Sequence, residues 1–321
     1  MMSLRTEEIM KLYHDIIKQN EPCCAALGFF DGVHTGHQRL MRSMYEYAAA
    51  NALAPCVFTF AESPCAMLGK SESSALQTFC QRIAAIEEIS RAEKCFAVDF
   101  VKYKDVTPED FIENILIEEL NVKAVFCGFN FHFGKNAGGD PAVLEHLCAK
   151  HDVRAFVTER VSADGETVSS TRLRRLIREG KISEANRLLA HPFCIDGAVV
   201  HGKENGRTVG IPTINQRLPD GFVVPRFGVY ASLVSVGGAK HRAITNVGVR
   251  PTVNGSGVTV ETHILDKTEG ELYGETVKTE LLWFERDEQK FADLNDLAAQ
   301  IHRDIAHISE LNIYDMYKDG V

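Results

Sequence analysis

The sequence predicts an α/β domain with a parallel sheet, followed by an antiparallel β-barrel domain that ends in a helix. Two observations carry this prediction. In the first half, apolar strand-like segments alternate with helical patterns, which is typical of parallel sheets with right-handed crossovers. After about Leu189 the chain changes to glycine-rich turns and short alternating runs, which favour antiparallel strands in a small barrel. We place the domain boundary between residues 183 and 184.

The first domain is expected to contain five strands separated by helices. The strands are predicted at residues 23–29, 54–60, 94–100, 124–127 and 154–157. One helix is predicted at residues 38–53. Another begins at Thr107, a threonine N-cap that precedes Pro108 and two acidic residues. Its apolar residues recur at helical spacing: Phe111, Ile112, Ile115, Leu116 and Leu120. Ligands of parallel sheets bind at the carboxyl ends of the strands, so we expect a site there.

The second domain is expected to be mostly antiparallel strands. These are predicted at residues 229–236, 242–247, 258–265 and 276–284, because apolar and polar residues alternate there between glycine-rich turns. A final helix is predicted from apolar residues at helical spacing: Phe291, Leu294, Leu297, Ile301, Ile305 and Ile308. One apolar stripe is most simply a face that packs on the barrel.

Composition excludes several broad classes of protein. The 321 residues are 45% hydrophobic and 25% charged, with a net charge of -9, so a general nucleic-acid or anionic-membrane binder is not expected. No apolar run approaches the roughly 20 residues of a membrane helix, and residues 1–20 do not resemble a secretory signal. Nine cysteines without a CxxC pair predict reduced thiols and a cytoplasmic protein. Four of them should be core residues: Cys23, Cys24, Cys56 and Cys127.

A glycine-rich turn, LGFFDGVHTGH at residues 27–37, joins the first strand to the first helix. It carries His34 and His37. Backbone N–H groups and the helix dipole favour anions at a helix N-terminus, and imidazoles can donate hydrogen bonds to a phosphate in the transition state. Paired histidines also occur as helix caps or metal ligands, but no Cys or Glu stands at metal-ligand spacing. The arrangement favours nucleotidyl transfer onto a phosphate.

Two further segments of the first half carry candidate ligand groups. GFNFHFG at residues 128–134 follows a strand and would present Asn130 to a ligand; a turn with core aromatic residues is the alternative. VSSTRLR at residues 168–174 begins a helix rich in arginine. Cations near a helix N-terminus oppose the dipole, and a bound ATP triphosphate would relieve that conflict. A solvated basic face is the alternative. The arginines are Arg172, Arg174, Arg175 and Arg178.

A cationic glycine loop in the second half, HGKENGRTVGIPTIN at residues 201–215, could cover phosphates through its backbone N–H groups. Thr213 and Asn215 lie two residues apart, so an extended chain puts both on one face. Hydroxyl and amide oxygens are hard ligands suited to Mg²⁺. Glycine-rich loops also occur as ordinary turns, so this loop by itself does not establish a phosphate-binding site.

A candidate general base lies in VETHILD at residues 260–266. Glu261 and His263 share a strand face because side chains alternate. A carboxylate there can accept the proton of a primary alcohol that attacks a γ-phosphoryl group. Phosphoryl transfer otherwise relies on positioning and Mg²⁺, so Glu261 with Thr213 and Asn215 is a sufficient minimal set. A buried Glu–Arg pair is the structural alternative.

The turn at residues 27–37 resembles the GxFDGxHxGH signature of the HxGH nucleotidylyltransferases. More narrowly, it resembles the adenylyltransferase half of the prokaryotic bifunctional riboflavin kinase/FAD synthetases, whose GxDFxFG and SSTxxR segments are similar to residues 128–134 and 169–174. The resemblance implies a Rossmann-like first domain in which His34 and His37 are catalytic. It also implies these cofactor-binding residues: Gly28, Asp31, Gly36, Asn130, Ser170, Thr171 and Arg174.

The loop at residues 201–215 resembles the GKxxGRxLGxPTxN motif of riboflavin kinases. Residues 227–231, 246–253 and 260–266 resemble the GVYA, NxGxxPT and ExHxLD strings of that family. The resemblance implies that Glu261 is catalytic and that Thr213 and Asn215 bind Mg²⁺. The implied cofactor-binding residues are Gly202, Lys203, Gly210, Thr213 and Asn215.

Together the resemblances imply a bifunctional enzyme. The second domain would phosphorylate riboflavin to FMN with Mg-ATP, and the first would adenylylate FMN with a second ATP to give FAD and pyrophosphate. Small molecules would be its partners, with no nucleic acid, membrane or protein partner required. Two departures concern the flavin side: AESP at residues 61–64 stands where the family usually has an acid-Pro-His-Pro string, and Phe29 replaces a common Asn or Val.

Two other functions remain open at this point. A riboflavin kinase could be fused to a nucleotidylyltransferase with another phosphate acceptor, as in cytidylyl- or pantetheine-phosphate transferases. The chain could instead be a flavin-binding regulator with decayed sites. The intact candidate residues speak against decay: His34, His37, Thr213, Asn215 and Glu261.

Overall fold

The computed structural model describes residues 9–69, 74–202, 211–252, 255–265 and 272–312. The chain forms two compact units, Met1–Ser169 and Ser170–Val321. The division therefore precedes the arginine-rich helix, whereas the sequence prediction placed the functional boundary after residue 183, within the helical region at residues 170–190. The functional boundary stays a prediction.

A six-stranded parallel sheet organises the first unit. Its strands are β1 (Lys11–Tyr13), β2 (Cys23–Leu27), β3 (Ala54–Phe60), β4 (Lys94–Val98), β5 (Val122–Gly128) and β6 (Arg154–Thr158). Their spatial order is β1-β4-β3-β2-β5-β6, with every pair parallel. All five predicted strands are confirmed. The sequence prediction missed β1 because three partly exposed residues give no periodic signal. A short hairpin follows, made of β7 (Ser162–Ala163) and β8 (Glu166–Thr167).

Helices cover both faces of this sheet. They are α1 (Thr35–Asn51), α2 (Pro64–Met67), α3 (Phe79–Ser90), α4 (Phe100–Tyr103), α5 (Pro108–Asp110), a π-helix (Phe111–Glu119), a 3₁₀ turn (Lys135–Ala137) and α6 (Pro141–Ala149). The predicted cap at Thr107 is confirmed, since its side chain accepts a hydrogen bond from the Asp110 N–H. Beyond α5 the helix widens, and the Leu120 N–H donates to the Ile115 carbonyl five residues back.

The sheet is buried on both faces, as βα crossovers require. Alternate residues of β2 enter different apolar clusters: Ala25 packs on one face and Cys24 on the other. The core role predicted for four cysteines is confirmed, because each side chain is at most 1% exposed: Cys23, Cys24, Cys56 and Cys127. Burial raises the pKa of the Cys24 thiol, which leaves it protonated and unreactive.

The second unit begins with α7 (Ser170–Arg178) and α8 (Ile182–Leu189) and continues into an antiparallel sheet. Its strands are β9 (Phe193–Ala198), β10 (Ile214–Arg217), β11 (Gly228–Val236), β12 (Ala239–Thr252), β13 (Gly255–Ile264) and β14 (Thr276–Arg286). The spatial order is β10-β13-β12-β11-β14-β9. The two edges approach each other, since the Val200 N–H donates to the Asn215 carbonyl at 2.8 Å. The predicted antiparallel barrel is confirmed.

The barrel interior contains a row of buried hydroxyl groups. Thr245 bonds Ser232 at 2.7 Å and Thr262 at 2.9 Å, and all three side chains are fully buried. The terminal helix, α9 (Leu294–Glu310), buries Ile308 against apolar residues of the sheet. Because Thr262 points inward, the alternation of side chains turns its neighbour Glu261 to the outer wall.

Candidate active sites

The turn between β2 and α1 has an unusual backbone. Phe30 and Val33 have positive φ angles of 59° and 38°, and Gly32 lies between them at 82°. Positive φ is unfavourable for residues with a Cβ, and such strain clusters at functional sites. Gly28 has no room for a side chain, because an added Cβ would lie 2.8 Å from the Phe30 ring. The turn is therefore held in one specific conformation.

This turn stacks the two histidines. The His34 and His37 ring centroids are 3.6 Å apart, and the rings are 17° from parallel. His34 also caps α1, since its Nδ1 accepts a hydrogen bond from the His37 N–H at 3.4 Å. The Phe30 ring meets His37 edge-on at 5.3 Å. An added Cβ at Gly36 would lie 3.2 Å from the His34 ring, so this glycine lets the ring sit against the helix start.

Both imidazoles are neutral at physiological pH. Burial lowers the pKa of His34 from 6.5 to about 4 and holds the pKa of His37 well below its usual value. Because His34 Nδ1 accepts a hydrogen bond, its proton lies on Nε2. His37 Nδ1 is buried and has no hydrogen-bond partner among the residues that the structure describes. A neutral imidazole carries no charge, but its N–H can donate a hydrogen bond to a phosphate oxygen as negative charge develops in the transition state.

Asp31 and Asn130 occupy different positions around this turn. Asp31 is 4% exposed, and its carboxylate accepts a hydrogen bond from the Leu76 N–H at 3.0 Å, which ties the segment before α3 to the turn. Asn130 is exposed just beyond β5. Because β5 pairs with β2, Asn130 shares the carboxyl edge of the sheet with the histidine turn. The structure thus leaves Asn130 accessible to a ligand and buries the Asp31 carboxylate. The cofactor-binding role of both residues stays a prediction.

Ser170, Thr171 and Arg174 lie in the first turns of α7, in the second compact unit. Arg172 and Arg174 are only 7% and 8% exposed, which does not fit a solvated basic face at these two positions. The contribution of the three predicted ATP-binding residues to the histidine site stays a prediction.

Strand register builds a second group of polar residues on the barrel wall. Asn215 in β10 and Asn246 in β12 both pair directly with Glu261 in β13. Side chains of directly paired residues lie on the same face of a sheet. His263, two residues along β13, reaches the Pro212 carbonyl through Nδ1 at 2.7 Å. Glu261 therefore lies beside the segment that carries Thr213 and Asn215.

Gly202 lies directly against the side chain of Asn215 in this second group. An added Cβ would lie 2.4 Å from Nδ2 of Asn215, whose side chain is only 7% exposed. Asn215 is paired with Glu261, and Thr213 lies two residues before Asn215. Hydroxyl, amide and carboxylate oxygens are donors that fit a hard cation such as Mg²⁺. Lys203 and Gly210, both predicted to bind cofactor, lie outside the described residues.

Two residues of these groups were not singled out from the sequence. Phe30 was not predicted because an aromatic residue next to another one usually belongs to the hydrophobic core. The signal that could have identified it is its place between Gly28 and Gly32, which indicates an unusual turn. Asn246 lies in the segment that resembles the NxGxxPT string, which by itself gives the residue no role. Its pairing with Glu261 depends on the β12–β13 register, which no local pattern reveals.

Curated relatives match most of the chain. "Bifunctional riboflavin kinase/FMN adenylyltransferase" of Listeria monocytogenes is 32% identical over 289 residues, covering 87% of this chain and 89% of the relative. The protein of the same description from Escherichia coli K12 is 34% identical over 292 residues, covering 88% and 91%. The chain belongs to the bifunctional riboflavin kinase/FMN adenylyltransferase family. Its Bacillus subtilis member is 31% identical over 311 residues, with 94% and 96% covered.

Two family models match separate parts of the chain. The FAD synthetase model matches residues 16–172 and the riboflavin kinase model matches residues 189–312. The fold is also shared with a crystal structure described as a macrolide-efflux protein from Streptococcus pneumoniae. That structure has a TM-score of 0.85 and 30% identity, and the match covers 95% of this chain and all of the other. Within the described residues, no helix combines the length and apolarity that a membrane crossing requires.

Proposed function

We propose that this chain makes FAD from riboflavin in two steps at two separate sites. Riboflavin is phosphorylated by ATP to FMN, and FMN is adenylylated by a second ATP to give FAD and pyrophosphate. One observation carries the proposal: each region that matches a family model contains its own intact polar group. The first has the stacked pair His34 and His37, and the second has the row Asn215–Glu261–Asn246.

In the adenylylation step, a phosphate oxygen of FMN attacks the α-phosphorus of ATP and the bond to pyrophosphate breaks. His34 and His37 donate hydrogen bonds through their ring N–H groups to the phosphate oxygens as negative charge develops. The positive end of the α1 dipole lies beside them. Asn130 orients the reactants from the end of β5. Ser170, Thr171 and Arg174 bind the triphosphate, and Gly28, Asp31 and Gly36 shape the turn. No nucleophilic side chain takes part.

In the kinase step, the terminal ribityl hydroxyl of riboflavin attacks the γ-phosphorus of ATP, and ADP leaves. Glu261 accepts the hydroxyl proton as the oxygen–phosphorus bond forms. Thr213 and Asn215 would hold Mg²⁺, which neutralises phosphate charge when it is bound. Gly202 leaves room for the Asn215 side chain. Lys203 and Gly210 take part in ATP binding in this proposal.

A time course with the purified full-length protein tests this function. The protein is incubated with riboflavin, ATP and Mg²⁺, and the flavins are separated by HPLC. We expect FMN to rise first and FAD to follow. A parallel arm with FMN and CTP in place of ATP should give no dinucleotide. FMN without FAD would favour another phosphate acceptor for the first unit, and flavin binding without ATP turnover would favour the regulator.

A further inference from the structure

Arg82 is a buried cation at the carboxyl ends of two neighbouring strands. It lies on the inner face of α3, in line with Ile86 and Ser90, and is 2% exposed. Nη1 donates to the Phe29 carbonyl at 2.8 Å and to the Thr59 hydroxyl at 2.9 Å. Nη2 donates to the carbonyls that follow, Phe60 at 2.7 Å and Ala61 at 3.0 Å. One guanidinium thus binds the ends of both β2 and β3.

All four acceptors of these hydrogen bonds are neutral. The guanidinium also lies over the Phe29 ring, with 4.2 Å between Cζ of Arg82 and the ring centroid. Burial lowers the pKa of Arg82 to about 10 despite the opposing effect of Asp31, so the group stays charged at neutral pH. Burying a charge is unfavourable unless it is hydrogen-bonded, and the four hydrogen bonds of Arg82 meet that condition. The buried cation therefore connects the ends of two strands as well as filling space.

The bound carbonyls lie at the start of two segments that surround the same edge of the sheet. Phe29 begins the turn that carries the histidines, and Ala61 begins the segment that leaves β3. Thr59 adds a cross-connection, because its hydroxyl donates to the Phe29 carbonyl at 3.2 Å. Both segments are thus attached to α3 through one side chain.

We propose that Arg82 is a positioning residue for FMN adenylylation. It holds the histidine turn and the segment leaving β3 at a fixed spacing, so that the phosphate acceptor meets the α-phosphorus between them. This inference rests on the proposed function. Misplacement of reacting groups by about 1 Å can lower a rate roughly 10²-fold, so loss of this connection should appear in kcat.

The test compares Arg82→Met with Arg82→Lys in the full-length protein. Met keeps the apolar stem but has no donors, whereas Lys keeps the charge and three donors. We expect Met to lower kcat for FAD synthesis about 10²-fold, and Lys to restore it to within about tenfold of the parent. Arg39→Met, at an exposed arginine of α1, is the matched control and should behave as the parent.

Rates are compared only for variants in which calorimetry finds the parent's number of ATP sites per chain, because an unfolded first unit would lose its own ATP site while the kinase site still bound ATP. Riboflavin phosphorylation in the same sample reports on the other unit. A Met variant with the parent's kcat overturns the proposal, and so does a Lys variant no better than Met. If the parent itself makes no FAD, the proposed function fails before Arg82 is tested.

Thr59 gives a second test that does not remove the buried cation. Thr59→Val removes the hydroxyl and its two hydrogen bonds at nearly constant volume, while Thr59→Ser keeps the hydroxyl. We expect Val to lower kcat for FAD synthesis several-fold and Ser to remain close to the parent. Equal kcat in Val and Ser would contradict the inference, even where Arg82→Met does not fold.

Discussion

The two sites differ in how the chain assembles them. In the first unit, the stacked histidines and the glycines beside them come from ten consecutive residues, 28–37, bent by positive φ angles. In the second unit, Asn215, Asn246 and Glu261 are distant in sequence and meet through the pairing of three strands. The first site depends on the conformation of one turn, and the second depends on register.

This difference predicts different weaknesses. A change that relaxes the turn at Phe30 should disturb the histidines without unfolding the sheet. A one-residue slip of β13 would instead turn Glu261 inward and Thr262 outward, because side chains alternate. Substitutions can therefore be chosen to damage one site at a time.

The largest expected effect is on the barrel site. Glu261→Gln keeps the size of the side chain but cannot accept a proton. We expect riboflavin phosphorylation to fall roughly 10²–10⁴-fold, the usual contribution of general-base catalysis. Riboflavin binding should change little, because the lost interaction matters mainly in the transition state. Phosphorylation is followed by HPLC and riboflavin binding by fluorescence.

Adenylylation of supplied FMN is the control for this variant and should be unchanged. Phosphorylation at the parent rate would exclude Glu261 as the base. Loss of riboflavin binding would make it a ligand contact instead.

The corresponding change in the turn is His37→Ala. We expect FAD synthesis from FMN to fall about 10²-fold or more, because one transition-state donor is lost. Riboflavin phosphorylation should persist, and a coupled ADP assay measures it in the same preparation. Unchanged FAD synthesis would reduce the stacked pair to a helix cap. Equal loss of both activities would indicate misfolding or a shared site.

A smaller effect is expected from Gly202→Ala. The new Cβ would lie 2.4 Å from Nδ2 of Asn215, so that side chain must move. We expect riboflavin phosphorylation to fall roughly tenfold, with FMN adenylylation unchanged. Gly257→Ala is the matched control, because an added Cβ there meets no atom within 4 Å. Similar kinetics of the two variants would show that the position of Asn215 does not matter.

The smallest effect concerns stability and pH. His34 has its pKa lowered from 6.5 to about 4 by burial, so below pH 6.5 the unfolded chain binds a proton that the folded chain does not. Its contribution to stability is present above pH 6.5 and is lost as pH falls toward about 4, by at most about 1.4 kcal/mol per pH unit. Urea unfolding of the parent and His34→Asn should show a steeper loss in the parent. Parallel pH dependences would contradict the buried neutral imidazole.

Most of the architecture could be predicted because its signals are local. The strand at residues 54–60 was predicted with the observed bounds, and the Thr107 cap was recognised from its neighbours. The edge strand β1 was missed because it is too short. Arg82 was missed for another reason: one charge on an amphipathic helix usually faces water. Only its in-line spacing with Ile86 and Ser90 indicated a buried position.

The histidine turn could be predicted better than the barrel site. Its residues are consecutive, so the sequence shows them together, although the stacking of the rings follows from strained φ angles that no motif reports. Pairing of Glu261 with Asn215 needed closure of the barrel and a definite register. The Lys203 and Gly210 predictions fall outside the described residues.

The central claim is that two independent sites are joined only by FMN as product and substrate. Mixing two variants tests it most directly. His37→Ala and Glu261→Gln are each incubated with riboflavin, ATP and Mg²⁺, separately and together, and the flavins are resolved over time. We expect the first alone to stop at FMN and the second alone to make almost no product, while the mixture makes FAD. A mixture that accumulates FMN without FAD, although Glu261→Gln adenylylates supplied FMN, would contradict this account.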